Sequence, residues 1–188
     1  MLKGKNLKEI VSHPNALTMY RIAAVPGIVI LMLYPNRLFA LVAAVLFAAA
    51  AVTDFLDGFL ARQRGLVSSF GKIMDPLADK VLVSSSLIML AAQGWAPAWV
   101  VCIIIGRELA VTGLRNVMTE HHIDVGASGL GKYKTGFQIA AIIPLLGHYT
   151  WLGIDMQAIG SLFLWVALLM TIWSGADYFF RFRKLFVA

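Results

Sequence analysis

The chain has 188 residues, of which 60% are hydrophobic and 14% charged, whereas an ordinary soluble domain carries roughly 25% charged residues. That balance excludes a water-soluble globular domain as the main architecture. The formal charge of +6 is spread beside hydrophobic stretches rather than gathered on a soluble patch, which argues against nucleic acid as a partner.

Residues 2–11 set Leu2, Leu7, Ile10 and Val11 among Lys3, Lys5 and Lys8. A short interfacial helix on anionic lipid has this pattern, and so does a frayed basic tail. The first apolar stretch is not followed by a small-residue cleavage site, so no removable signal peptide is expected. A crossing helix needs about 20 predominantly apolar residues, and such stretches recur at 17–33, 38–62, 72–92, 97–119, 132–150 and 157–179. The predicted fold is an all-α polytopic membrane protein, a single membrane domain over 1–188, with six transmembrane helices preceded by the interfacial one. Placing the N-terminus in the cytoplasm puts Arg62, Arg64, Lys72, Arg115, Lys132, Lys134, Arg181, Arg183 and Lys184 on that side and only Arg37 on the other, as the positive-inside rule requires. The far-side turns carry Trp95, Trp99, Tyr149 and Trp151, suited to an aromatic belt. Both termini are therefore expected in the cytoplasm. Cys102 lies alone in an apolar stretch and cannot form an intrachain disulfide.

The segment TDFLDGFLARQRGLVSSFGKIMDPLADK, Thr53 to Lys80, joins the second and third stretches. Asp54 and Asp57 are three apart and Asp75 and Asp79 four apart, so each pair shares one helical face. Asp54 and Asp79 stand equally far from the middle of the connecting turn, and Asp57 and Asp75 nearly so. Two antiparallel helices would bring all four carboxylates together. An aspartate at the centre of a span costs about 2.5–3.5 kcal/mol on insertion scales, so the group needs a compensating partner. Carboxylate oxygens are hard ligands suited to Mg2+ or Mn2+, whereas zinc would recruit Cys or His, absent from this segment. Two other readings fit the same residues: buried salt bridges to Arg62, Lys72 and Lys80, or the cation path of a divalent-cation transporter. Pro76 either marks a first helical turn capped by Asp75 or kinks a helix begun near Gly71.

The pattern D-x-x-D-G-x-x-A-R, eight residues, then G-x-x-x-D-x-x-x-D is matched by Asp54, Asp57, Gly58, Ala61, Arg62, Gly71, Asp75 and Asp79. It resembles the signature of the CDP-alcohol phosphotransferase family. The resemblance implies a six-helix membrane enzyme, usually homodimeric, in which an alcohol displaces CMP from a CDP-linked substrate. It also implies that Asp54, Asp57 and Asp75 ligate Mg2+ or Mn2+, while Asp79 is the general base and touches a second ion. The CDP-lipid would lie against Asp57, Gly58, Ala61, Arg62 and Gly71, with Asn15 and Thr18 of the first span.

A second polar group, Arg107, Glu108, Arg115, Lys132 and Lys134 with Gln138 one turn on, occupies the fourth and fifth stretches. It either holds an anion, or Arg107 pairs with a carboxylate such as Glu108 of a neighbouring subunit while the lysines snorkel to lipid headgroups. NALTMYR, GRELAVTGLR and GLGKYKTGFQ resemble the branch of the family that joins CDP-diacylglycerol to sn-glycerol 3-phosphate in the bacterial inner membrane, with its active site facing the cytoplasm. On that resemblance Arg107, Arg115, Lys132 and Lys134 are expected to bind the acceptor phosphate. A sibling transferase using inositol phosphate or another alcohol is the alternative. Gly126–Tyr133 falls short of a P-loop, since Tyr133 cannot replace the metal-binding Ser or Thr.

Overall fold

Each predicted apolar stretch forms a helix, the conformation that satisfies backbone polar groups locally where side chains offer none. The computed structural model describes residues 14–64, 69–120 and 129–182, with side chains over 18–52, 74–119 and 133–180. The helices are α1 (Pro14–Leu33), α2 (Arg37–Arg64), α3 (Ser69–Ala92), α4 (Ala98–Glu120), α5 (Gly129–Gly147) and α6 (Met156–Phe182). Every predicted span agrees with its helix to within three residues at each end. The interfacial helix expected at 2–11 lies outside the described residues. One element is an addition to the all-helical expectation: β1 (Thr150–Trp151) and β2 (Ile154–Asp155) form a small antiparallel hairpin before α6.

The helices fall into two units, residues 1–89 and 90–188. In the first, α1 packs on α2. Ala24, Ile28 and Met32, one turn apart on α1, are buried, as are Ala40, Ala43, Ala44, Phe47 and Ala50 on α2. Small side chains of this kind let helices approach closely, which is how association proceeds where lipid removes the hydrophobic driving force. Asn36 caps α2, its Oδ1 accepting from the amides of Leu38 at 3.0 Å and Phe39 at 2.9 Å. Helix α3 continues through Pro76, which rejects the first-turn alternative for that proline.

In the second unit α5 and α6 make the most extensive helix pair, and α4 also packs on α6. Gly160 sits against Leu145 so tightly that a Cβ there would fall 2.6 Å from Leu145 Cγ and 2.8 Å from its backbone nitrogen. The hairpin turns at Leu152 (φ 51°) and Gly153 (φ 83°), two successive positive-φ residues as a type I′ turn demands. Asp155 then caps α6, accepting from the Ala158 amide at 3.1 Å. Two of the four aromatic residues expected at these turns meet, Trp95 and Tyr149 edge-on at 6.3 Å, and the His148 ring stacks on Trp95 at 3.9 Å. Gln157 locks them, donating from Nε2 to the Trp95 carbonyl at 2.8 Å and accepting at Oε1 from His148 Nδ1 at 2.9 Å.

Within α6, Met156–Phe180 is long and apolar enough to cross a membrane, the one such segment among the described residues; Thr18–Leu33 and Arg37–Val52 are shorter apolar runs. The other helices carry charge along their length: Asp75, Asp79 and Lys80 on α3, Arg107, Glu108 and Arg115 on α4, and Lys134 on α5. Those charges are what the two units position.

Candidate active site

Helix α1 is apolar except for a stripe that begins at Asn15 and repeats every third residue at Thr18 and Arg21. Positions three apart lie on one helical face, and Thr18 and Arg21 are both buried. That face meets the start of α3. The Thr18 hydroxyl donates to Asp75 Oδ1. Arg21 Nη1 lies 3.4 Å from Asp79 Oδ1 and 3.5 Å from the Asp75 carbonyl oxygen, and its Nη2 lies 3.9 Å from Asp75 Oδ1. The arginine side chain is 4% exposed, whereas each aspartate side chain is 40% exposed. The two carboxylates are thus gripped from the buried side and open on the other.

Asp75 and Asp79 come together as their spacing on α3 predicts. The salt-bridge reading had offered Arg62, Lys72 and Lys80 as partners; the side chains of Arg62 and Lys72 lie outside the described residues, and among those described Arg21 stands beside the pair. One Lys80 hydrogen bond instead runs to the Pro76 carbonyl, at 3.5 Å. Arg21 is the residue that sequence reasoning missed, because one arginine near the start of a span reads as an ordinary positive-inside flank. Its signal was the three-residue stripe. The side chains of Asn15, Asp54, Asp57, Gly58, Ala61, Arg62, Gly71 and Lys132 lie outside the described residues.

Among the described residues no three metal-ligating side chains gather, two of the four aspartates being outside them. What is described has the donor chemistry for a hard cation: carboxylate oxygens on one helical face, partly exposed, with no Cys or His beside them.

The second polar group is built on three helices. Arg107 Nη2 donates to Ser174 Oγ at 2.7 Å, and Arg115 Nη2 donates to the Tyr178 hydroxyl at 2.8 Å. Ser174 and Tyr178 are four apart on α6 and face α4 together. Both guanidinium carbons flank the Tyr178 ring, at 6.0 Å for Arg107 and 5.9 Å for Arg115, near the outer limit of a cation–π contact. Gly175 makes room for Arg107, since a Cβ there would lie 3.2 Å from its Cγ. Arg107 Nε and the Thr171 hydroxyl are buried without a hydrogen-bond partner among the described residues. From α5, Lys134 pairs with Glu108 Oε1, and Gln138 Nε2 approaches the same oxygen at 3.5 Å. Arg107 and Arg115 therefore stand together as predicted. Lys134, expected as a ligand of the acceptor phosphate or, in the other reading, at the lipid headgroups, has a carboxylate partner within the chain that neither reading gave it. Ser174 and Tyr178 did not emerge from the sequence at all.

A family model described as CDP-alcohol phosphatidyltransferase matches residues 11–173, a stretch that contains both polar groups except for the last residues of α6. The chain belongs to that family. Among CDP-alcohol phosphatidyltransferase relatives, the Bacillus subtilis (strain 168) protein named CDP-diacylglycerol--glycerol-3-phosphate 3-phosphatidyltransferase is 45% identical over 178 residues, covering 88% of this chain and 92% of its own. A protein of the same name from Rickettsia bellii (strain RML369-C) is 39% identical, covering 92% of this chain and 96% of its own. One from Mycobacterium tuberculosis (strain CDC 1551 / Oshkosh), named probable phosphatidylglycerophosphate synthase, is 36% identical over 92% of this chain and 82% of its own. The family assignment makes the chain an enzyme that transfers a phosphatidyl group, and it removes the divalent-cation transporter reading.

Proposed function

We propose that this phosphatidyltransferase moves the phosphatidyl group of CDP-diacylglycerol to sn-glycerol 3-phosphate, giving phosphatidylglycerol phosphate and CMP. The observation that carries the reading is the pair of cations Arg107 and Arg115, each held by an α6 hydroxyl, in a chain whose aspartate signature is that of the family. A phosphorylated acceptor gives two arginines at membrane depth a reason to be there, and the relatives named above carry that acceptor in their names.

In this mechanism the acceptor phosphate lies against Arg107 and Arg115, joined by Lys132 where α5 begins. That contact holds the acceptor by its phosphate and leaves its hydroxyl free to react. The Asp79 carboxylate takes the hydroxyl proton, the hydroxyl oxygen bonds to the phosphatidyl phosphorus, and the bond from that phosphorus to the CMP oxygen breaks, its electron pair leaving with CMP. Thr18 and Arg21 keep Asp75 and Asp79 in register during the exchange. Asp54, Asp57, Asp75 and Asp79 would hold two Mg2+ or Mn2+ ions, which would supply charge neutralisation at the diphosphate. Asp57, Gly58, Ala61, Arg62, Gly71, Asn15 and Thr18 line the CDP-lipid side, where small residues leave space for the nucleotide.

The lipid donor and the water-soluble acceptor have to meet at an interface, which fits a protein of six crossings in the bacterial cell membrane with both termini and the active site cytoplasmic, working as a homodimer among membrane lipids. The decisive experiment offers purified protein CDP-diacylglycerol with each candidate alcohol in turn and measures CMP. Release with glycerol 3-phosphate supports the reading. Release with inositol phosphate or another alcohol in its place assigns the chain to a sibling activity.

A further inference from the structure

A carboxylate inside a membrane-embedded helix calls for an explanation, and Glu108 has none in the reaction just described. Its side chain is 19% exposed, and the Lys134 side chain paired with it is 3% exposed. Glu108 Oε1 is met by the Lys134 ammonium and by Gln138 Nε2 at 3.5 Å, with Arg107 Nη1 at ion-pair distance, 3.8 Å. Lys134 and Gln138 are four apart on α5 and so reach it from a single face. Arg107 thus donates from Nη2 to Ser174 of α6 while its Nη1 lies at ion-pair distance from Glu108 on its own helix. A carboxylate on one side and a hydroxyl on the other bias the orientation of the planar guanidinium.

We propose that Glu108 is the positioning residue of the acceptor site and that Lys134 serves as its counterion rather than as a phosphate ligand. Lys134 keeps the Glu108 carboxylate charged and fixed at low exposure, and the fixed carboxylate presents Arg107 to the anionic acceptor. The inference rests on the reading that Arg107 binds the acceptor phosphate. A buried pair of this kind predicts a specific asymmetry: removing one partner strands a charge, whereas removing both does not.

The test uses full-length protein and two charge-free pairs, Glu108→Gln/Lys134→Met and Glu108→Leu/Lys134→Met, beside the single variants. Thermal unfolding is measured together with kcat and the KM for each substrate. Both double variants lack the buried charges and are expected to unfold at higher temperature than either single variant. The Gln-containing pair keeps an acceptor oxygen facing Arg107, so its KM for glycerol 3-phosphate stays within about threefold of wild type. The Leu-containing pair loses that oxygen, and its KM rises about tenfold or more while the KM for CDP-diacylglycerol holds. If the Gln-containing pair shows the large rise too, Lys134 touches the phosphate and the proposal is overturned. Equal and unchanged KM values in both pairs also overturn it, because Glu108 then does not hold Arg107. Wild-type protein that ignores glycerol 3-phosphate sinks the acceptor assignment itself, a failure visible before any variant is made.

Discussion

The Thr18 hydroxyl donates to the Asp75 carboxylate across 57 positions of sequence, and this bond ties the first helix to the helix that carries half of the aspartate signature. A hydrogen bond to a charged group is worth about 1.5–3 kcal/mol, enough to be felt in turnover. Thr18→Val keeps the shape and deletes the donor. It is expected to lower kcat/KM by about tenfold and to raise the Mg2+ concentration for half-maximal activity, with Thr18→Ser recovering most of both. A metal titration of the transfer reaction checks this, and superimposable curves for Val and wild type would refute the role.

Asp79→Asn preserves volume and removes the proton acceptor. General-base catalysis contributes about 10²–10⁴ in rate, so kcat is expected to fall by that order while thermal unfolding changes little and Mn2+ still binds. Near-wild-type transfer by the purified variant rules out Asp79 as the base.

Chelation gives a separate check on the cation. Exhaustive treatment with EDTA is expected to abolish CMP release, and added Mg2+ or Mn2+ to restore it. Transfer that persists in metal-free buffer overturns the metal-assisted mechanism.

Arg115→Met leaves the Tyr178 hydroxyl in place but removes a cation from the acceptor side. The KM for glycerol 3-phosphate is expected to rise about tenfold, equivalent to about 1.4 kcal/mol, with the KM for CDP-diacylglycerol unaffected. Steady-state kinetics in both substrates decide it, and an unaltered acceptor KM counts against the assignment.

Gly160→Ala tests the packing. The added carbon would fall 2.8 Å from the Leu145 backbone nitrogen, which cannot swing aside as a side-chain tip would. Overpacking of this kind costs about 1–3 kcal/mol, and a drop of several degrees in Tm is expected. Gly113→Ala on α4, where the new carbon meets nothing within 4 Å beyond its own stretch of helix among the described residues, is the control and should leave Tm unchanged or slightly higher. Equal Tm values for the two variants would contradict the close α5–α6 contact.

The helices were legible because apolar runs of crossing length can do little but close their hydrogen bonds within themselves. The pairing of Asp75 with Asp79 was legible for the same reason that any four-residue spacing on a helix is. Partners on other helices were not. Ser174 and Tyr178 are single polar residues in an apolar helix, and their spacing acquires meaning only once α6 lies beside α4. That Lys134 lies against Glu108 was not legible either, because charge alone does not show which carboxylate a lysine will meet. The 150–155 hairpin escaped because two-residue strands are too short to show alternation, leaving Gly153 as its one visible mark.

Arg107 and Arg115 are gripped by hydroxyls 67 and 63 residues further along the chain. During synthesis both arginines leave the ribosome well before those hydroxyls exist. The α4–α6 contacts thus form last, and a product arrested before α6 would carry both arginines without the hydroxyls that hold them.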